Sequence, residues 1–338
     1  MRVLIIKISS MGDVIHTLPA LTDAARHFGG IQFDWVVEQP FAEIPAWHPR
    51  VAEVFPFGLR RWRKHWRSAL KSGEVGSFVK ALRGRRYDAV IDAQGLFKSA
   101  GLALLAKGPG HGFDRRTARE GGAALFYRRA HGVSTRLHAI TRIRHLFARA
   151  LGYEEPQGPP EFDLAKKFPR PQTGAKDLIF FHGTTWDTKH WPLPFWRELA
   201  QLAASAGHPV QLSVGNDREQ ARAKVIADGN PGVAIIPKGD LTRLAQILGN
   251  ARGFVGVDTG LSHLAGALNV PGVTLYGPTD PALTAPLREK IENLGADFSC
   301  APCKRRRCHH PDAGGEVDPP CFSVLEPAKV WQTLLQVL

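Results

Sequence analysis

Short apolar runs alternate with helical patterns twice along this chain, and no other feature restricts its fold as much. In the first half the runs are VLIIK near the N-terminus, FDWVVE (33–38) and YDAVIDAQG (87–95). Helical patterns follow over 96–106 and about 138–151, and Gly152 suits the C-cap of the second. In the second half DLIFFHG, VQLSVG, GVAIIP, GFVGVD and GVTLYG read as strands. Between them, helices are predicted over 194–206, 218–227, 241–251 and 261–268, and a last helix over 327–338. Strands that alternate with helices of about ten residues imply βαβ units and a parallel sheet.

The two series are separated by EEPQGPPEFDLAKKFPRPQTGA (154–175), which holds five prolines and no long period. The fold expected is therefore α/β, with two Rossmann-like domains facing across a cleft. The first covers 1–153, a linker 154–175, the second 176–322, and a C-terminal helix 323–338. Open α/β sheets bind ligands beyond the carboxyl ends of their strands, so the turns after the strands are where chemistry belongs.

Charge narrows the partners. The chain has 44 Lys and Arg against 31 acids, a formal net charge of +13. An anionic partner is expected, and nucleic acid, an anionic lipid surface and a phosphorylated small molecule all fit. No apolar run approaches the roughly 18–20 residues that cross a bilayer. The N-terminal apolar segment is too short for a signal peptide, so a cytosolic location is expected.

The first strand runs into SSMGD, one glycine followed by Asp13. A dinucleotide site would carry Gly-x-Gly-x-x-Gly there, with an acid about 20 residues on, which argues against a nucleotide-dependent oxidoreductase. Asp13 reads either as a helix-capping acid or as a general base. A helix dipole would weaken it as a base, so partial burial would have to compensate.

In the second half, FVGVDTGLSHLAGAL leads a strand into Asp258, Thr259 and Gly260. Thr259 can cap the helix, its first amides can face an anion, and His263 can point at the same mouth. A capped helix with a satisfied histidine is the plainer alternative. FFHGTTWDTKHWP adds His182, Thr184, Thr185 and Lys189 at another strand end. Together the two turns describe a nucleotide-diphosphate site. Glu219 in VGNDREQAR suits ribose hydroxyls or, equally, a solvated first helical turn. YGPTDP (276–281) reads as a rigid loop.

LRRWRKHWR (59–67) interleaves Arg60, Arg61, Arg63, Lys64 and Arg67 with Trp62 and Trp66. Nucleic acid, a membrane surface, an anionic ligand or a solvated charged face would each explain it. Lys98, Arg115, Arg116 and Arg119 add cations in the same half. A nucleic-acid-binding module would account for the charge but not for the turns of the second half. All four cysteines, Cys300, Cys303, Cys308 and Cys321, lie near the C-terminus at spacing C-x2-C-x4-C-x12-C. That is either a structural metal site or a loop of reduced thiols.

MRVLIIKISSMGDVIHTLPAL, RRWRK, YDAVIDAQGLFKSA, TARE, TKHWP and VDTGLSHLAGAL…VTLYGPTDP, in this order, resemble the lipopolysaccharide heptosyltransferases of glycosyltransferase family nine, which have the GT-B fold. The resemblance implies transfer of L-glycero-D-manno-heptose from ADP-heptose to the Kdo of Kdo-lipid A, at the cytoplasmic face of the inner membrane. It implies a single inverting displacement without cofactor or metal, and Asp13 matches the catalytic base. Thr184, Thr185, Lys189, Glu219, Asp258, Thr259, Gly260 and His263 match donor-binding positions, and Gly239 in PKGDL matches more loosely. Arg60, Arg63, Lys64, Lys98 and Arg119 match basic positions facing the acceptor. An acceptor that already carries one heptose is the alternative within the family. The cysteine segment departs from the family's type.

Overall fold

Strands buried on both faces belong in the middle of a parallel sheet covered by helices, and the apolar runs behave accordingly. The computed structural model describes residues 1–171 and 174–338. The first sheet consists of β1 (Arg2–Ile6), β2 (Gln32–Glu38), β3 (Val51–Phe57), β4 (Ala89–Asp92), β5 (Gly110–Phe113) and β6 (Arg129–His131). Their order is β3-β2-β1-β4-β5-β6, all parallel. Ile5 stands level with Trp35 on one side and Ile91 on the other. The centre of the sheet is thus apolar, and its chemistry is left to the turns.

A second parallel sheet contains β7 (Leu178–Phe181), β8 (Val210–Leu212), β9 (Val233–Ile235), β10 (Gly253–Val257), β11 (Gly272–Tyr276) and β12 (Ile291–Gly295). Its order is β12-β11-β10-β7-β8-β9. Counted from each unit's own first strand, the two sheets have the same doubly wound order, which reverses beside the first strand. In the second unit Trp191 and Trp196 cross edge to face with centroids 5.0 Å apart, and Phe180 and Phe322 pack around them. The C-terminal helix Pro327–Val337 packs on the helix Leu193–Ser205, and Trp191 donates to the Leu325 carbonyl at 3.0 Å.

The chain divides into compact units at Leu164/Ala165. The proline-rich stretch is shared between them. Phe162 and Leu164 are buried with the first unit, while Phe168 lies beside Gly249 and Arg170 donates to the Ala251 carbonyl in the second. The stretch's Gln172 and Thr173 lie outside the described residues. No helix among the described residues is long and apolar enough to cross a membrane.

One buried ion pair fastens the first unit. Arg144, on the helix Ala139–Leu151, grips Asp23, on the helix Leu18–His27, through bonds of 2.6 and 3.1 Å, and also donates to the Gly158 carbonyl at 2.7 Å. Both side chains are 5% exposed, so removing one partner strands the other charge away from water. Asp23→Ala is expected to cost about 3–5 kcal/mol. A urea titration followed by tryptophan fluorescence would show it as a lowered midpoint for the first unit.

Candidate active site

In the first unit the turn after β1 is built before Asp13 is placed. Buried Asp92, at the end of β4, accepts the amides of Gln94 and Gly95 and the Tyr127 hydroxyl, at 2.8, 3.1 and 2.7 Å. That tight turn aims the Gln94 amide oxygen at the Ile8 and Ser9 amides, at 3.0 and 3.2 Å. The backbone between β1 and the helix Met11–Ile15 is thereby fixed, and Asp13 emerges on the helix's first turn.

Ser10 holds the N-cap position, not Asp13. Asp13 is the third helical residue and reaches back to accept the Ser10 amide at 2.9 Å, one arm of a capping box. Ser10 Oγ donates to the same oxygen at 3.0 Å. The other oxygen meets Arg119 Nη2 at 3.1 Å and Lys7 Nζ at 3.3 Å. Lys7 is buried at the end of the first apolar run and also donates to the Ala93 carbonyl at 2.9 Å.

Burial alone would push the Asp13 carboxyl up, but Lys7, Arg119 and the Ser10 amide together outweigh it. The group is held well below the usual carboxylate range. The sequence-based expectation that burial compensates for the helix terminus is therefore corrected, because two cations stand within ion-pair distance. Burial, with Arg119 adding to it, lowers the Lys7 ammonium, though Asp13 pulls it back.

The other predicted cations divide. Arg60 pairs with buried Glu38 at 3.0 Å, and the Glu38 amide donates to the Ile8 carbonyl, which ties Arg60 to the same first turn. Arg63 and Lys64 are exposed on the short helix Leu59–Lys64. Lys98 is exposed at the start of the helix Phe97–Leu105, and the Phe97 amide donates to Glu120, the neighbour of Arg119. Arg61 pairs with Glu74. Trp62 is not a stacking platform for a ligand. It is buried between Phe57 and Phe78, at centroid distances of 5.3 and 5.6 Å, because the helix has to bury one face.

The second unit centres on Asp258, immediately after β10. Lys189 Nζ and Thr279 Oγ1 meet one carboxylate oxygen at 2.6 and 2.7 Å, and His263 Nε2 stands 3.6 Å from the other. Burial pushes this carboxyl up, yet His263 and Lys189 hold it well below the usual range. Thr184 Oγ1 bonds the Asp258 carbonyl at 3.4 Å, and Thr185 is exposed beside it. Thr259 is the N-cap of the helix Gly260–Ala267, but its side chain makes no capping bond, contrary to the sequence expectation. The amides of Gly260 and Leu261, which open the helix, have no carbonyl one turn back within it, whereas those of Ser262 and His263 donate to the Thr259 carbonyl.

Glu219 accepts the Gly215 amide at 2.7 Å and an Asn216 side-chain N–H at 2.8 Å, while Asn216 caps the helix Asp217–Ala227. Its carboxyl also lies across Gly183, where a Cβ would come within 2.6 Å of it. Glu219 thus serves the helix end and sits beside the Thr184 turn. His182 is fully buried, and burial pushes its imidazole down to about 4. It is a neutral interior group and not a donor at the mouth. Gly239 stands in the turn after β9, three strands along the sheet from β10, against the Arg243 side chain.

YGPTDP is more than a loop, since it delivers Thr279 to Asp258. Sequence reasoning also missed Lys7, Gln94 and Trp186. Lys189 and Arg306 both approach the Trp186 ring, 4.7 and 5.0 Å from its centroid. The segment around Arg306 is anchored there, as Thr188 Oγ1 donates to the Arg305 carbonyl at 2.7 Å and the Lys304 amide to Pro278 at 2.7 Å. An aromatic residue between two donor-rich positions was the available signal for Trp186. All four cysteines are free thiols. Burial, with Cys300, Cys303 and Cys308 nearby, pushes the Cys321 thiol up to about 12. Among the described residues no three His, Cys, Asp or Glu side chains are arranged to hold a metal ion.

Residues 75–313 match the family model of glycosyltransferase family 9 (heptosyltransferase). The chain is 48% identical to lipopolysaccharide heptosyltransferase 1 of Pseudomonas aeruginosa, over 98% of its own length and 96% of that protein's. It is 51% identical to lipopolysaccharide heptosyltransferase 1 of Escherichia coli K12, over 84% of its length and 90% of the relative's. Among solved structures, E. coli heptosyltransferase WaaC with ADP superimposes with a TM-score of 0.88 at 44% identity, covering all of both chains. A parallel α/β architecture in two units, polar turns at the strand ends and these likenesses agree: the chain is an enzyme that belongs to glycosyltransferase family 9, the heptosyltransferases.

Proposed function

We propose that this enzyme transfers L-glycero-D-manno-heptose from ADP-heptose to the Kdo of Kdo-lipid A, by a single inverting displacement that needs no metal. The observation that carries the reading is the Asp13 carboxylate, fixed by Ser10 and flanked by Lys7 and Arg119. In this reading the first unit takes the acceptor and the second the donor. The likeness to E. coli heptosyltransferase WaaC with ADP supports ADP as the leaving group.

A carboxylate has about four lone-pair sites, and Asp13 meets four donors: Ser10 N, Ser10 Oγ, Arg119 and Lys7. An acceptor hydroxyl must displace one of them. Arg119 is the mobile candidate, being half exposed, and an acceptor's own carboxylate or phosphate would draw it away. Asp13 then loses a cation and gains basicity at the moment its substrate hydroxyl arrives. The attacking oxygen gives its proton to Asp13, its electron pair forms the new glycosidic bond, and the donor's C–O bond breaks toward the β-phosphate.

Charge developing on that phosphate meets Lys189 and the amides opening the helix Gly260–Ala267. Lys189 is already held in place by Asp258 and Trp186, so little reorganisation accompanies the step. Thr184, Thr185, Glu219, Thr259 and His263 complete the donor pocket in this reading. Arg60, Arg63, Lys64 and Lys98 receive the acceptor's anionic groups, and Gly239 is a looser member of the donor set.

ADP release by the purified protein, with ADP-heptose and with or without Kdo-lipid A, tests the proposal. Acceptor-dependent release that persists in EDTA, with an inverted anomeric proton by NMR, is the expected result. Loss of activity in EDTA would overturn the metal-free step. Turnover only with an acceptor that already bears heptose would overturn the choice of acceptor and leave the donor chemistry intact.

A further inference from the structure

Ten large apolar side chains are prominently exposed among the described residues, and five of them fall between Phe97 and Phe126. They are Phe97, Leu104 and Leu105 on the helix Phe97–Leu105, and Leu125 and Phe126 on the short 3-10 segment Gly121–Phe126. Positions 97, 101, 104 and 105 share one helical face, opposite the buried Ser99, Ala100, Leu102 and Ala103. The two segments pack on each other. The Phe97 and Phe126 rings meet edge to face at 6.3 Å, and Gly122 leaves room for Phe97, whose ring a Cβ there would meet at 2.5 Å. The five side chains therefore form one surface, whereas singly scattered exposed hydrophobics would need no explanation.

The charge around this surface is predominantly positive. Residues 97–131 contain seven Lys and Arg against two acids. Lys98, Lys107, Arg128 and Arg129 are exposed, and the acid Glu120 is engaged by the Phe97 amide. Apolar side chains ringed by cations match a bilayer interface with anionic headgroups: the leucines and phenylalanines enter the acyl boundary, and the cations meet the phosphates. A protein partner of matching chemistry would have to be apolar and acidic together.

We infer that the face formed by Phe97, Leu104, Leu105, Leu125 and Phe126 docks the enzyme onto an anionic lipid bilayer. Two contacts join the face to the candidate base. Phe97 is held by Glu120, and Glu120 follows Arg119, which pairs with Asp13. The functional meaning rests on the lipid-linked acceptor proposed above: with its sugar at Asp13, its acyl chains can stay in the bilayer that the neighbouring face touches. An acceptor of this kind never has to leave the membrane to react.

Leu104 and Leu125 are 65% and 84% exposed, so replacing them leaves the core untouched. The full-length protein and the double variant Leu104→Asp/Leu125→Asp should be compared by co-sedimentation with phosphatidylglycerol vesicles and with phosphatidylcholine vesicles. Thermal melts and turnover with a de-acylated, water-soluble acceptor provide the folding control. The expected result is wild-type binding to the anionic vesicles only, weakened by more than about tenfold in the variant, with melting and soluble-acceptor turnover unchanged. Wild-type protein that ignores both vesicles, or a variant that binds like wild type, would overturn the inference. So would a wild-type dimer that the double substitution converts to monomer, since a second copy would then be the occupant. Failure of wild-type protein to use the soluble acceptor counts against the acceptor reading, and the vesicle assay decides the face independently of it.

Discussion

Asp13→Asn is expected to lower kcat/KM by about 10²–10⁴, the range for removing a positioned general base, with the affinity for ADP unchanged. Calorimetric titration with ADP beside steady-state kinetics separates the two. The amide keeps Asp13's size and can still accept from Ser10, so the turn should survive. In the proposed mechanism, what is lost is the site that takes the proton. A fall of less than about tenfold would assign the base elsewhere.

The pH dependence is distinctive because Lys7 and Arg119 hold the free enzyme's Asp13 well below the usual carboxylate range. The acid limb of kcat/KM reports the free enzyme, so no limb from Asp13 is expected near pH 4. The limb of kcat reports the complex and should lie at higher pH, because in the proposed mechanism the bound acceptor draws Arg119 away. The sign for stability follows from the same depression. Asp13 is more acidic folded than unfolded, so its pairs stabilise the fold above the unfolded value of about 4. That contribution is lost as pH falls through the lower, folded value.

Lys189→Ala should reduce kcat by about 10²–10³, the size of effect seen when one stabiliser of developing negative charge is removed. The residue has two partners in the free enzyme, the Asp258 carboxylate and the Trp186 ring. Its loss therefore acts twice. In the proposed mechanism the leaving phosphate loses a cation, and among the described residues Asp258 keeps Thr279 and His263, so its carboxyl is expected to move up toward the ordinary range. Lys189→Arg should restore only part of the rate, because a planar fork does not replace a compact point charge at 2.6 Å. Single-turnover measurements at saturating donor would show whether the deficit lies in the chemical step. Equal deficits in ADP affinity and rate would reassign Lys189 to ground-state binding.

The continuous apolar runs were legible as strands, the edge strand β9 among them, and β3, β5, β6 and β12 were not. β1, β7, β10 and β11 are continuous apolar runs because both of their faces are covered. Strand β6 is Arg-Ala-His, β5 is Gly-His-Gly-Phe, and β12 is Ile-Glu-Asn-Leu-Gly, whose side chains carry no such pattern. Only their neighbours in the sheet define them. The repeated sheet order was invisible for a related reason: topology follows from the handedness of βαβ connections, and it needs no repeated residues.

The candidate site divides along similar lines. Asp13 and Asp258 stood out because an acid after a buried strand is conspicuous. Arg119 and Lys189 were found as cations but not as their partners, since Arg119 lies 106 residues from Asp13 and Lys189 lies 69 from Asp258. Lys7 was only the last residue of the run VLIIK, and Thr279 part of a rigid loop. Hydrophobic periodicity carries no signal for such pairings, which depend on tertiary packing. The same limit hid the depressed acidity of Asp13, since two cations had to be placed before burial could be weighed against them.

Trp62 sets the phase of the basic helix. With its ring wedged between Phe57 and Phe78, the helix Leu59–Lys64 cannot rotate about its own axis, and the arginines on either side fan outward from a fixed spindle. Each helical residue advances about 100°. A single insertion or deletion between Arg60 and Trp62 would therefore swing Arg60 by more than a quarter turn about the ring, away from Glu38, while Arg63 and Lys64 kept their places. Point substitutions can retune this stretch one charge at a time, whereas its length is locked by one ring.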